Sequence, residues 1–202
     1  MPIATSALNP SSLHHPSDAE LLLAAARQDQ TAFSVLVQRY YPVVHRVVWR
    51  TMNGHADAED IAQEAFLRLW KNPAQVREAG ALKGWLMRVA SNMAMDRFRA
   101  KATTDLDAAE HLSDGRPGAE QLMSQSWAAK RVDLAIATLP DRQRLALTMV
   151  HFEQFTNIEA AAAMDLSIDA LESLLSRARQ SLKKFLASEK HLLLATLQTE
   201  GA

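Results

Sequence analysis

Between residues 55 and 64 the chain carries Asp57, Glu59, Asp60 and Glu64 without a single Lys or Arg. At 100° per residue, Asp57, Asp60 and Glu64 share one helix face, with Gln63 and Leu67 beside them. Ile61, Ala62, Ala65, Phe66 and Leu69 fall on the opposite, inward face. Acids in a first helical turn favour the macrodipole, which accounts for Asp57 and Asp60 but not for Glu64 or an outward Leu67. An acidic stripe with an exposed leucine is a surface on which a basic protein would dock.

The charge reverses further on. Residues 81–104 hold Lys83, Arg88, Arg97, Arg99 and Lys101 against Asp96 alone, a net +4. In a helix from Trp85, the spacing places Trp85, Leu86, Val89, Ala90 and Met93 on a buried face and Arg88, Asn92, Met95 and Arg99 on the other. Cations, an amide and the nearby rings of Trp85 and Phe98 suit phosphate contact with stacking on unpaired bases. The preceding stretch, Lys71 to Gly84, includes Asn72-Pro73 and Gly80 and reads as a loop able to accept a base displaced from a duplex.

A third constellation is a helix pair: Thr156 to Met164, a turn at Asp165-Leu166-Ser167, then Ile168 to Leu186. Its short turn fits a helix–turn–helix DNA reader. Leu171, Leu174, Leu175, Ala178, Leu182 and Phe185 line one face of the second helix. Asp169, Ser173, Ser176, Gln180 and Lys183 face out, flanked by Arg177, Arg179 and Lys184.

The elements that position these residues are all helical. Among 202 residues there are only 6 Gly and 7 Pro, and apolar residues recur at helical rather than alternating spacing. Residues 1–17 read as a disordered lead-in. Ser17 with Glu20 forms a capping box for a first helix, and helices follow over about 31–52, 57–70 and 81–100. Residues 102–126 read as a flexible linker, since 105–120 carry five acids against Arg116 and contain Asp114-Gly115 and Pro117-Gly118. A second block extends through about 121–138, 141–152, 157–164 and 168–187, with a tail over 188–202. The fold class is all-α: one domain at 18–101 and a second, with the helix–turn–helix, at 127–187.

Composition removes whole classes of function. The absence of Cys excludes disulfides, thiolate zinc sites and cysteine nucleophiles. The His residues at 14, 15, 45, 55, 111, 151 and 191 never pair at metal-ligand spacing on a structured helix. No Gly-rich phosphate loop, G-x-S-x-G or H-E-x-x-H occurs, so neither an active site, a metal nor a cofactor is expected. No apolar run is long enough to span a bilayer and no signal-peptide pattern opens the chain, which predicts a soluble cytoplasmic protein.

In order along the chain stand Ala32-Phe33 with Leu36-Val37-Gln38-Arg39-Tyr40-Tyr41-Pro42, and the run Asp57-Ala58-Glu59-Asp60-Ile61-Ala62-Gln63-Glu64-Ala65-Phe66-Leu67-Arg68-Leu69-Trp70. Trp85-Leu86, Ala90, Asn92, Asp96 and Arg99 follow, then Leu139-Pro140-Asp141-Arg142-Gln143-Arg144. With these motifs the chain resembles the extracytoplasmic-function branch of bacterial RNA polymerase sigma factors across 18–187. The resemblance implies that Asp57, Asp60, Gln63, Glu64 and Leu67 dock on the clamp helices of the polymerase largest subunit. It implies that the loop from Lys71 and Asn72, with Lys83, Trp85, Arg88, Asn92, Arg97, Arg99 and Lys101, melts and reads a minus-ten element. The second domain would contact the polymerase flap and read a minus-thirty-five element. An anti-sigma partner that covers these surfaces, and holds the factor near the membrane, is a further expectation, as is a monomer when free.

The sequence departs from the family at one informative place. A Gly-Thr-Val-Lys-Ser-Arg type stretch is replaced by Asp169-Ala170-Leu171-Glu172-Ser173-Leu174. A carboxylate near phosphates costs affinity, although it can accept from a cytosine amine. Duplex contact would then pass to Ser173, Ser176, Arg177, Arg179, Gln180 and Lys183. The alternative is a sigma mimic that sequesters an anti-sigma factor and never binds a promoter.

Overall fold

The computed structural model describes residues 16–107 and 127–199, with side chains for 16–100 and 131–188. Among these residues every regular element is helical. The N-terminal module contains α1 (Asp18–Ala26), α2 (Gln30–Thr51), α3 (Asp57–Lys71) and α4 (Leu82–Asp107). The C-terminal module contains α5 (Trp127–Ala137), α6 (Asp141–Leu147), α7 (Asn157–Ala163) and α8 (Ile168–Thr199).

Local chemistry sets the boundaries. The Ser17 hydroxyl accepts the Glu20 N–H while the Glu20 carboxylate accepts the Ser17 N–H at 2.7 Å, the capping box expected from sequence. Asp29 caps α2 by accepting from the N–H groups of Thr31 and Ala32. Gly54, at φ +77°, turns the chain out of α2 where an added Cβ would meet the Trp49 ring at 3.2 Å. Two 3-10 turns, Pro73–Gln75 and Ala79–Ala81, shape the stretch between α3 and α4, pinned by buried Val76.

Several boundaries differ from the sequence expectation. The helix α4 continues to Asp107, and α8 runs to Thr199 rather than ending near 187. The helix expected over 141–152 is split, because α6 passes at Thr148 into a π-helical turn, Thr148–Phe152. The lead-in through residue 15, the linker residues 108–126 and the start of the helix expected at 121 lie outside the described residues.

The largest departure concerns how the modules meet. Leu36, Val44, Val47, Val48, Ile61, Phe66, Leu69, Leu82 and Leu86 form one apolar cluster that runs on without a break into Leu145, Met149, Phe155, Ala160, Met164, Leu171 and Leu175. The modules are therefore packed together, and α4 touches both: α2 and α3 of its own module, α6 and α7 of the other.

Candidate polymerase and promoter interface

The acidic stripe forms on α3 as the wheel predicts. Ala58, Ile61, Ala62, Ala65, Phe66 and Leu69 are buried, and Asp60, Gln63 and Leu67 are exposed, Leu67 to 49%. Asp57 pairs with Arg97 on α4 at 3.0 Å, and Glu64 accepts from Arg68 Nε at 3.0 Å. Gln63 donates to Glu59 at 3.0 Å. The outward leucine thus sits among carboxylates held in place by neighbours on α3 and α4.

The basic face of α4 differs more from expectation. Leu82, Leu86, Met87, Ala90, Ser91 and Ala94 are buried, whereas Trp85, Val89 and Met93 are only half-buried. A two-sided helix explains the shift, since α4 buries residues against both modules and a single-stripe wheel misplaces its inner face. Lys71 and Asn72 lie exposed at the end of α3. Arg88, Asn92, Arg97 and Arg99 are exposed, and Arg99 pairs with Asp96 at 3.0 Å. Lys101 lies beyond the described side chains.

Two members of this set face the C-terminal module. Arg88 Nη2 donates to Asp165 Oδ1 at 3.0 Å, and Lys83 Nζ lies 3.8 Å from the centre of the Phe155 ring. Between the modules runs a cleft of about 510 Å³ lined in part by Ser91, Asn92, Phe98, Gln143, Asp165 and Leu174. Ser91 Oγ and Gln143 Oε1 are buried there without a hydrogen-bond partner.

The helix–turn–helix is built by a cap at the start of each of its helices. Thr156 and Glu159 form a capping box at the start of α7. The Thr156 N–H and hydroxyl hold the Glu159 carboxyl below its usual range. Asp165 takes the left-handed conformation at φ 55°, and the Ser167 hydroxyl accepts the Ala170 N–H at 3.2 Å to open α8. Leu171, Leu175 and Ala178 are buried, and Leu174 turns inward to line the cleft. Ser173, Ser176, Arg177, Arg179, Gln180 and Lys183 are all exposed on the other face, as expected from sequence. Glu172 is exposed beside them and accepts from Asn157 Nδ2 at 3.4 Å.

The three constellations are thus helical, surface-borne and correctly ordered, in two modules. Residues 36–104 match the family Sigma-70 region 2, and residues 129–182 match Sigma-70, region 4. The extracytoplasmic-function sigma factor SigM of Mycobacterium tuberculosis is 32% identical over 86% of this chain and 86% of its own. The chain belongs to the extracytoplasmic-function family of RNA polymerase sigma factors. The sigma-E factor of Escherichia coli K12 is 30% identical over 82% of this sigma factor and 92% of its own length. Two solved structures share the fold. CnrH, solved with the cytosolic domain of CnrY, superposes with a TM-score of 0.64 at 23% identity, covering 86% of this chain and 99% of its own. RpoE of Bartonella quintana, solved with the anti-sigma factor NepR, gives 0.63 at 22%, covering 77% and 96%. No helix among the described residues of this sigma factor is long and apolar enough to cross a membrane.

One structurally central residue went unread in the sequence. Arg144 was visible in the motif Leu139–Arg144, yet nothing assigned it a task. It is only 3% exposed, and its Nε donates to the Thr51 carbonyl at 2.6 Å while Nη1 donates to the carbonyls of Ala137 and Leu139 at 2.9 and 3.2 Å. Its Nη2 pairs with Asp141. Thr51 and Ala137 are the last residues of α2 and α5, where helix carbonyls lack partners of their own. One guanidinium thus closes the ends of a helix from each module. Burial pushes its pKa down, and the Asp141 carboxylate opposes that shift. The signal available in sequence was an Arg followed directly by the apolar run Leu145-Ala146-Leu147.

Proposed function

We propose that this chain is a transcription initiation factor that binds RNA polymerase core and directs it to promoters, the polymerase supplying the chemistry. The carrying observation is that the region 2 and region 4 matches fall, in order, on the two helical modules. In this reading Asp57, Asp60, Gln63, Glu64 and Leu67 bind the clamp helices of the largest subunit. The loop from Lys71 and Asn72, with Lys83, Trp85, Arg88, Asn92, Arg97, Arg99 and Lys101, opens and holds the minus-ten element. The module from about residue 127 meets the flap and reads the minus-thirty-five element through Ser173, Ser176, Arg177, Arg179, Gln180 and Lys183. Cations on the two faces meet phosphates, while side chains at the start of α8 meet base edges.

The factor would act in the bacterial cytoplasm, at the nucleoid when active. Solved relatives held by an anti-sigma factor or by CnrY support an anti-sigma partner here too, with exposed Leu67 as part of the target. The test is run-off transcription from a genomic fragment library with purified core, with and without the protein. New start sites sharing one upstream pattern are expected. A second reading, a mimic that only titrates an anti-sigma factor, draws on the acids Asp169 and Glu172 at the start of α8. Stable anti-sigma binding with no transcripts would select it.

A further inference from the structure

The cleft between the modules gathers polar groups that the packing leaves unpaired. At about 510 Å³ it falls within the range of small-molecule sites, about 300–1,000 Å³. One wall is α4, and the other is α6 with the turn between α7 and α8. Ser91 on α4 lines it and is only 2% exposed. A helical serine commonly bonds back to a carbonyl one turn earlier, but Ser91 Oγ has no partner. Across the cleft, Gln143 Oε1 on α6 is likewise buried and without a partner. An unpaired buried polar atom is costly, so two of them, from different modules in one cleft, point to a ligand that bonds both.

The chemistry of the lining sets what that ligand must carry. Gln143 Oε1 only accepts, so it calls for an N–H, while the Ser91 hydroxyl can donate to a ring nitrogen. The Phe98 ring, with the Arg144 guanidinium 5.8 Å from its centre, joins Leu174 in an apolar wall suited to a flat ring. At the rim, Arg99 and Arg142 are exposed and suit an anion. The pair that Arg99 makes with Asp96 lies in solvent, where such pairs contribute little, so it yields readily to a phosphate. The carboxylates of the lining are already compensated, Asp141 by Arg144 and Asp165 by Arg88. A flat ring with an amine, a ring nitrogen and an attached anion describes a nucleotide with an aminated base.

We propose that the cleft is a binding site for a free mononucleotide whose base carries an exocyclic amine. The base lies against Phe98 with its amine on Gln143 Oε1 and a ring nitrogen on Ser91, and the phosphate meets Arg99 and Arg142. Promoter DNA carries the same groups, but Gln143 belongs to the C-terminal module and lies outside the face assigned to the unpaired strand. A free nucleotide can meet both walls at once. Its partners come from both modules, so its binding stabilises the folded chain as a whole, and nothing in the site depends on the promoter reading.

Calorimetric titration of the full chain with AMP tests this without polymerase or promoter. A single AMP is expected to bind per chain, and no saturable heat at millimolar AMP overturns the proposal. Purine riboside 5′-monophosphate keeps the ring and the phosphate but lacks the amine, and it is expected to bind about tenfold more weakly. Adenosine, without the phosphate, is expected to lose affinity by about the same factor. Gln143→Leu removes the acceptor and leaves every residue assigned to polymerase or promoter in place. It is expected to bind AMP and the amine-free analogue equally, and to melt no lower than the parent, because an unpaired acceptor gives way to an apolar group. A preference for AMP that persists in Gln143→Leu overturns the proposal. Arg142→Gln, at the exposed rim, is the second variant: it is expected to lose most of the preference for AMP over adenosine, and full retention counts against the site. A single-stranded oligothymidine holding one deoxyadenosine separates the two sources of the base. If that strand binds in a Gln143-dependent way and AMP does not, the cleft takes DNA and the free-nucleotide proposal falls.

Discussion

Arg97 Nε lies 3.0 Å from Asp57 Oδ2, so a cation assigned to promoter DNA is paired with the first carboxylate of the polymerase-docking stripe. The two surfaces adjoin along the α3–α4 contact rather than standing apart. Asp57 already has a basic partner within the chain, so in the proposed docking the weight falls on Asp60 and Leu67, both exposed on α3.

The first prediction follows from that division. Asp60→Lys combined with Leu67→Ala is expected to weaken binding to polymerase core by at least about tenfold, since hot spots couple an apolar anchor to complementary charge. Asp57→Asn is expected to have a smaller effect, because an exposed ion pair contributes roughly 0–1 kcal/mol. Fluorescence anisotropy against labelled core measures both. Equal losses from the two variants would show that the pair to Arg97 does not alter the role of Asp57.

A second prediction concerns Glu172, which stands in the second turn of α8 with Asn157 donating to it from α7. A carboxylate only accepts, and in the major groove it is matched by the cytosine N4 amine. Glu172→Gln is expected to relax the preference for cytosine at one minus-thirty-five position by a factor corresponding to about 1–3 kcal/mol. Selection of promoter variants with parent and mutant measures this. If every base preference persists in the mutant, Glu172 is not a reader.

Much of this arrangement was legible beforehand. The α3 stripe and the outward face of α8 each follow from one hydrophobic stripe facing one core, and the capping box at Ser17 rests on contacts three residues apart. The inner face of α4 was not legible, because a helix buried on two sides has no single stripe to read. Nor was the task of Arg144, since its carbonyl partner Thr51 lies 93 residues away and belongs to the other module. Periodicity reports the near side of one helix. It carries no information on which module docks where.

The third prediction tests that guanidinium. Arg144→Met fills similar space but leaves the carbonyls of Thr51, Ala137 and Leu139 without a donor. Removing a buried charged partner and stranding acceptors is expected to cost about 3 kcal/mol, read as a lower urea midpoint. Arg144→Lys is expected to recover only part of the loss, because an ammonium on a flexible stem does not reproduce the planar fork that reaches two helix ends.

The last prediction uses Glu159, whose carboxyl is held below its usual 4.5 chiefly by the Thr156 N–H and then by the Thr156 hydroxyl. A carboxyl whose pKa falls on folding contributes stability above its unfolded pKa and loses that contribution as pH falls through the folded value. The parent is therefore expected to exceed Glu159→Gln in stability at pH 7, with the gap closing as pH drops below 4.5. Urea unfolding at a series of pH values, followed by circular dichroism, measures the gap. The group is largely exposed, so the difference is small, but its sign is fixed. A gap that widens toward acid would mean that the capping box does not depend on the ionised carboxylate.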